Sequence, residues 1–113
     1  MVQKTLLNDT PQNLIDRYAR ILKQSGVTVE KLILFGSYAK GKNKPWSDLD
    51  ICVVSKDFGK HRLRESMNLA ALAVDVDSMI QSYPCHPNDL NNKYDPIIQE
   101  ILAHGIPVSS VQN

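Results

Sequence analysis

Leu14, Ile15, Tyr18, Ile21 and Leu22 recur at intervals of three and four, which predicts an amphipathic helix. Thr10-Pro11 supplies its start, a hydroxyl for the N-cap and a ring that pre-sets the first turn, and Gly26 ends the pattern. The period then changes. Residues 29–35 read as a buried strand running into Gly36-Ser37, followed by one short helix over 37–40 that Gly41 stops. Beyond a loop over 41–47, Leu49, Ile51 and Val53 alternate with Asp48, Asp50 and Cys52, the mark of a strand with unlike faces. Helical spacing returns over 63–72. Residues 73–80 alternate again, Val74 and Val76 against Asp75 and Asp77, which predicts a third strand. Pro84, Pro87 and an Asn/Asp cluster break the chain before a last helix over 95–104, capped by Gly105, with a short edge strand over 106–108. Strands alternating with helices predict a mixed α/β domain.

Length and charge narrow this picture only a little. The 113 residues fit one domain spanning 1–113, and 42% apolar residues is ordinary for a globular chain. A formal net charge of +1 gives no broad electrostatic case for nucleic acid or an anionic membrane. The apolar runs are short, far below the roughly 18 residues of a membrane span. Met1-Val2-Gln3-Lys4-Thr5-Leu6-Leu7 has no apolar targeting core, so a cytoplasmic location is expected. Cys52 and Cys85 show no pairing or metal-ligand spacing and read as reduced thiols, Cys52 as a core residue.

Two segments carry candidate chemistry. In Phe35-Gly36-Ser37-Tyr38-Ala39-Lys40-Gly41 a strand enters Gly-Ser at the head of a helix, where free N–H groups and the helix dipole suit a phosphate. Gly36 allows close approach of a ligand, and the Ser37 hydroxyl can donate to a phosphate oxygen. Taken alone, this is also an ordinary strand–turn–helix junction. In Ser47-Asp48-Leu49-Asp50-Ile51 the two carboxylates lie two apart on a strand and project together. Side by side they repel unless a cation separates them, and Mg²⁺ accepts such oxygens while leaving positions for water and phosphates. An isolated D-x-D reads equally well as one turn residue and one solvated residue. A third carboxylate would complete a two-metal site, and Asp75 and Asp77 are the candidates on the predicted third strand. A polar face on an edge strand accounts for them too.

Together, Gly36-Ser37-x-Ala39-Lys40-Gly41 and Ser47-Asp48-x-Asp50 resemble the signature of the polymerase-β-type nucleotidyltransferase superfamily, and most of all its minimal, antitoxin-type members. The resemblance covers most of the chain. It implies an α+β nucleotidyltransferase fold, a mixed sheet flanked by helices. It implies that Gly36 and Ser37 bind a nucleoside triphosphate and that Asp48 and Asp50 hold Mg²⁺ in a two-ion site, while Lys40, at a position usually held by Arg or Lys, either touches phosphate or is a solvated cation near the helix C-terminus. The third family carboxylate sits on the next strand, where Asp77 is favoured and Asp75 is the alternative. The implied reaction transfers a nucleoside monophosphate, AMP from ATP as first choice, onto an acceptor hydroxyl. The acceptor is expected on a partner protein such as a HEPN-type toxin, supplied in trans. The alternative is a binding module that neutralises a helical partner mainly by forming a complex. The site is expected to be open on one side, which favours a homo- or hetero-oligomer.

Other residues point less sharply. His61, His86 and His104 lack ligand spacing and read as surface or capping residues. Lys60, His61, Arg62 and Arg64 read as a solvated helix start. Trp46 fits either a wall of the site or an anchor for its loop.

Overall fold

A computed structural model describes residues 5–108. The N-terminal leader reading concerns residues 1–7, of which 1–4 lie outside this range. Helix α1 covers Pro11–Gln24, strand β1 Lys31–Phe35, helix α2 Ser37–Lys40 and strand β2 Leu49–Val54. Helix α3 follows over Arg62–Val76, strand β3 over Ile80–Cys85, helix α4 over Pro96–His104 and strand β4 over Ile106–Val108. The expected caps are in place. Thr10 accepts the N–H of Asn13 at 3.2 Å, and Gly41 closes α2 with a φ of 70°, open to glycine without strain.

The sheet order is β3-β2-β1-β4, with β2 parallel to β3 and antiparallel pairing elsewhere, so the mixed α+β sheet is observed. Strand alternation divides the core in two. Leu32, Leu49, Ile51, Val53 and Ile80 face α1 and α3, meeting Leu14, Ile15, Tyr18, Leu22, Leu69 and Ala73. Ile33, Phe35, Cys52, Val54 and Cys85 face the other way, toward Ile98 and Ile101 of α4. Tyr18 is fully buried, as its place in the stripe implied, and its hydroxyl meets Ser82 Oγ at 2.5 Å. Both cysteines are free and buried. Among the described residues no helix is long and apolar enough to cross a membrane.

Two expectations are corrected. Residues 73–76 are the last turn of α3 rather than a strand, because Leu69 and Ala73, one turn apart, are the residues that pack on the sheet. The alternation of Val74 and Val76 is coincidental, since Val74 is exposed. Nor does Pro84 break the chain: β3 continues through it to Cys85. It is tolerated because β3 is an edge strand, paired on one side only.

Candidate functional site

The site forms where β1 ends. Phe35 lies opposite Asp50 in the antiparallel register, so the turn after Phe35 is brought beside the acidic strand. Gly36 has φ 76° and ψ −155°, a backbone region reserved for glycine. The space is equally demanding, since a Cβ at Gly36 would overlap Asp50 Oδ2. The backbone of the Gly-Ser turn thus rests directly on the carboxylate. The internal bonds of α2 begin with the N–H groups of Ala39 and Lys40, which both reach Gly36 O at 3.1 and 3.2 Å. The N–H groups of Ser37 and Tyr38 precede them, at the end where a helix has donors to offer.

Asp48 and Asp50 bracket Leu49, which is fully buried on the α1/α3 side, and this sends Asp50 to the opposite face. Asp48 is exposed and Asp50 half-buried. Ser47, just before them, is held in a tight turn by Lys44, whose N–H donates to Ser47 Oγ at 2.7 Å. Burial, then the charges of Asp48 and Glu100, push the Asp50 carboxyl from its ordinary 3.8 up to about 6. Like charge is thus gathered on this face, and Lys40 stands beside one of its members, Glu100. Among the described residues no three His, Cys, Asp or Glu side chains form a ready metal cage. Two carboxylates with open surroundings nevertheless fit an ion such as Mg²⁺, which keeps waters and takes its other oxygens from substrate.

Glu100 was not anticipated. It comes from α4, and its Oε2 lies 3.2 Å from Lys40 Nζ. That oxygen is buried and makes no aligned hydrogen bond, so the contact is one of charge. Lys40 therefore ties α2 to α4 in this structure. Tyr83 was missed as well. Its ring lies 5.2 Å from that of Phe35, and burial followed by the charges of Asp50 and Asp48 raises its phenol above the usual value. Glu100 carried no signal apart from an ordinary helix charge, and Tyr83 was hidden in a misplaced strand.

The third-carboxylate candidates do not join the group. Their expected strand is absent, because Asp75 is exposed on α3 and Asp77 is the C-cap of that helix. Asp77 is 2% exposed, and it accepts the N–H of Asn8 on Oδ2 and of Met79 on Oδ1, each at 2.8 Å. A carboxylate committed to two backbone donors is a structural clasp for the N-terminal segment. The residue level with Asp50 on β3, on the same face as Tyr83 and Cys85, is Gln81. An amide stands where a third acid would be expected.

The remaining candidates fall into place. His86 N-caps a single 3-10 turn over Pro87–Asn91, its Nδ1 accepting the N–H of Asn88 at 3.0 Å. Arg62 pairs with Asp89 at 3.1 Å at the exposed start of α3. Trp46 is 67% exposed, which rules out the anchor reading.

Comparison with known proteins adds a family match over residues 15–108, to a model described as "Nucleotidyltransferase domain". A curated relative, "Putative protein adenylyltransferase MJ1305" of Methanocaldococcus jannaschii, is 38% identical over 97 residues. The alignment covers 80% of this chain but 66% of that protein, just under two thirds of its length. Among solved structures, "a putative nucleotidyltransferase from Sulfolobus solfataricus" superposes with a TM-score of 0.63 at 16% identity, over 85% of this chain and 77% of the other. A toxin-antitoxin structure with AMP-PNP superposes with a TM-score of 0.53 at 23% identity, over 89% and 74%. At such identities the structural likeness speaks for the fold.

Proposed function

The chain belongs to the nucleotidyltransferase domain family, and on that premise we propose that it transfers a nucleoside monophosphate, AMP from ATP, to an acceptor hydroxyl. The observation that carries this reading is the seating of Gly36 on Asp50, which brings the phosphate-type turn against the acidic pair and so supports their acting together. Asp48 and Asp50 would hold Mg²⁺. Bound there, the ion would neutralise charge on the triphosphate and on the acid pair. The Gly36-Ser37 turn would bind phosphate oxygens with its N–H groups and the Ser37 hydroxyl. Lys40, already paired with Glu100, is assigned to holding α2 in position rather than to direct phosphate contact. Positioning and charge supply most of the acceleration in phosphoryl transfer. The acceptor oxygen would bond to the α-phosphorus and release its proton to solvent, and the bond to the pyrophosphate oxygen would break.

A protein acceptor is supported by the name of the Methanocaldococcus jannaschii relative, and a toxin-type partner by the toxin-antitoxin neighbours. That partner would be of HEPN type. The alternative, a module that neutralises a partner by binding alone, is favoured by one observation: Gln81 stands beside Asp50, and Asp77 is committed to the fold. The deciding experiment incubates the chain with α-labelled ATP, Mg²⁺ and the protein encoded beside it, against an Asp48→Asn/Asp50→Asn control. Label on the partner with wild type alone supports transfer. A tight complex with no label from any of the four nucleotides supports the binding module.

A further inference from the structure

Helix α3 packs on the sheet through Leu69 and Ala73, yet its outer side is also apolar. Leu63, Met67 and Val74 are 75%, 62% and 60% exposed, and Ala70 and Ala71 between them are exposed as well. Positions 63, 67, 70, 71 and 74 follow the three–four spacing of one helix face, about 16 Å long at 1.5 Å per residue. A surface helix that buries one stripe ordinarily turns charge outward on the other. Grooves run along this face. One of about 570 Å³ is lined in part by Leu63, Arg64 and Met67, and another of about 320 Å³ by Ala71 and Leu72.

The stripe is self-complementary. Laid antiparallel across a two-fold axis near its middle, Leu63 of one copy meets Val74 of the other, and Met67 meets the small Ala70–Ala71 step. Small residues at that step let the two helices approach closely, and the bulk of methionine fills the gap. The flanking charges match in the same register. Arg64 follows Leu63 and Asp75 follows Val74, both exposed, so each lies on the same side of the stripe. A two-fold axis preserves that side and sets Arg64 of each copy against Asp75 of the other, twice per pair. A parallel arrangement would instead carry this flank to opposite sides of the two helices, so that Arg64 and Asp75 would not meet. A net charge of +1 leaves little long-range repulsion against self-association.

We propose that the outer face of α3 is a homodimer interface, formed by antiparallel pairing of α3 with α3 of a second copy. It is independent of the transfer reading, because α3 covers the side of the sheet opposite Asp50. The dimer leaves both acidic sites open and facing away from each other. A contact made by one helix lies at the small end of stable interfaces, so the dimer is reversible and depends on concentration.

Sedimentation velocity on the full chain over a concentration series tests this. Wild type shifts from monomer to dimer, and Met67→Lys raises the dissociation constant by about tenfold or more, because it sets a charge at the centre of the contact. Arg64→Glu and Asp75→Arg each weaken the dimer by roughly threefold to tenfold, through two like-charge contacts. Mixing those two variants in equal amounts restores it. In the mixed pair the antiparallel register sets the introduced glutamate against the introduced arginine, and keeps Asp75 of one copy against Arg64 of the other. All these side chains are exposed, so melting curves recorded at dilutions where wild type is monomeric stay unchanged in the expected result. A wild type that stays monomeric throughout overturns the proposal, as does a dimer indifferent to Met67→Lys. Singles that fail to recover on mixing overturn the antiparallel register.

Discussion

The two faces of the sheet are built from the same strands in opposite ways. Toward α1 and α3, Leu32 of β1 and Leu49, Ile51 and Val53 of β2 are fully enclosed in an apolar core with Leu14. Toward α4, the apolar cover reaches Cys52 and Val54 and then stops, and Asp50 continues the same row with only partial shelter. One strand, β2, therefore serves stability on one side and presents charge on the other. The lesson is that the acidic pair is tolerated only because its alternate neighbours are buried so thoroughly. The like charges of Asp48, Asp50 and Glu100 oppose folding, and burial on the far face offsets them.

Substitutions on the two faces should therefore separate. The largest expected effect is on the closed face, where Ile51→Ala should cost about 2–5 kcal/mol of stability, read from urea unfolding. On the open face, Asp50→Asn should reduce label transfer by at least about a hundredfold, equivalent to roughly 2.7 kcal/mol of barrier, and yet strengthen the fold. The sign follows from its raised carboxyl. The folded chain binds that proton more tightly than the unfolded one, so Asp50 erodes stability as pH climbs from about 4 to about 6, and the loss persists above. Discounted for its half-exposed setting, the gain from Asp50→Asn near pH 7 is about 1–2 kcal/mol, and it should vanish below pH 4. Equal melting temperatures for the two proteins at pH 7.5 would contradict this.

Smaller effects sharpen the picture. Gln81→Asp adds a carboxylate level with Asp50 and should tighten Mn²⁺ binding by about tenfold, measured by calorimetry, while lowering metal-free stability. Glu100→Gln frees Lys40 and lightens the charge around Asp50. It should move stability by less than about 1 kcal/mol, and should raise KM for the nucleotide more than it lowers kcat.

The parts of this arrangement visible in the sequence were the local ones. Gly36-Ser37 and Asp48-x-Asp50 are short-range patterns, and their chemistry follows from spacing along a strand and into a turn. The register that joins them is a long-range property, and so are the positions of Glu100 and Gln81, which depend on where α4 and β3 settle. Residues 73–80 mislead because Val74 and Val76 alternate with acids by chance, whereas the helix is dictated by Leu69 and Ala73 packing beneath. Asp77 illustrates the same point. Nothing in Asp75-Val76-Asp77 distinguishes a carboxylate that clasps Asn8 and Met79 from one that binds metal. Pro84 resembles a breaker because its place on a sheet edge is a feature of topology, not of its neighbours in sequence.

The central claim is that Asp48 and Asp50 under the Gly36-Ser37 turn form one metal–nucleotide site. The most direct measurement is Mn²⁺ binding by electron paramagnetic resonance, with and without a non-hydrolysable ATP analogue, for wild type and for Asp48→Asn/Asp50→Asn. The account predicts that wild type binds Mn²⁺ more tightly with the analogue present, and that the double variant, folded and more stable, loses this binding. Undiminished analogue-dependent Mn²⁺ binding by the double variant would contradict it.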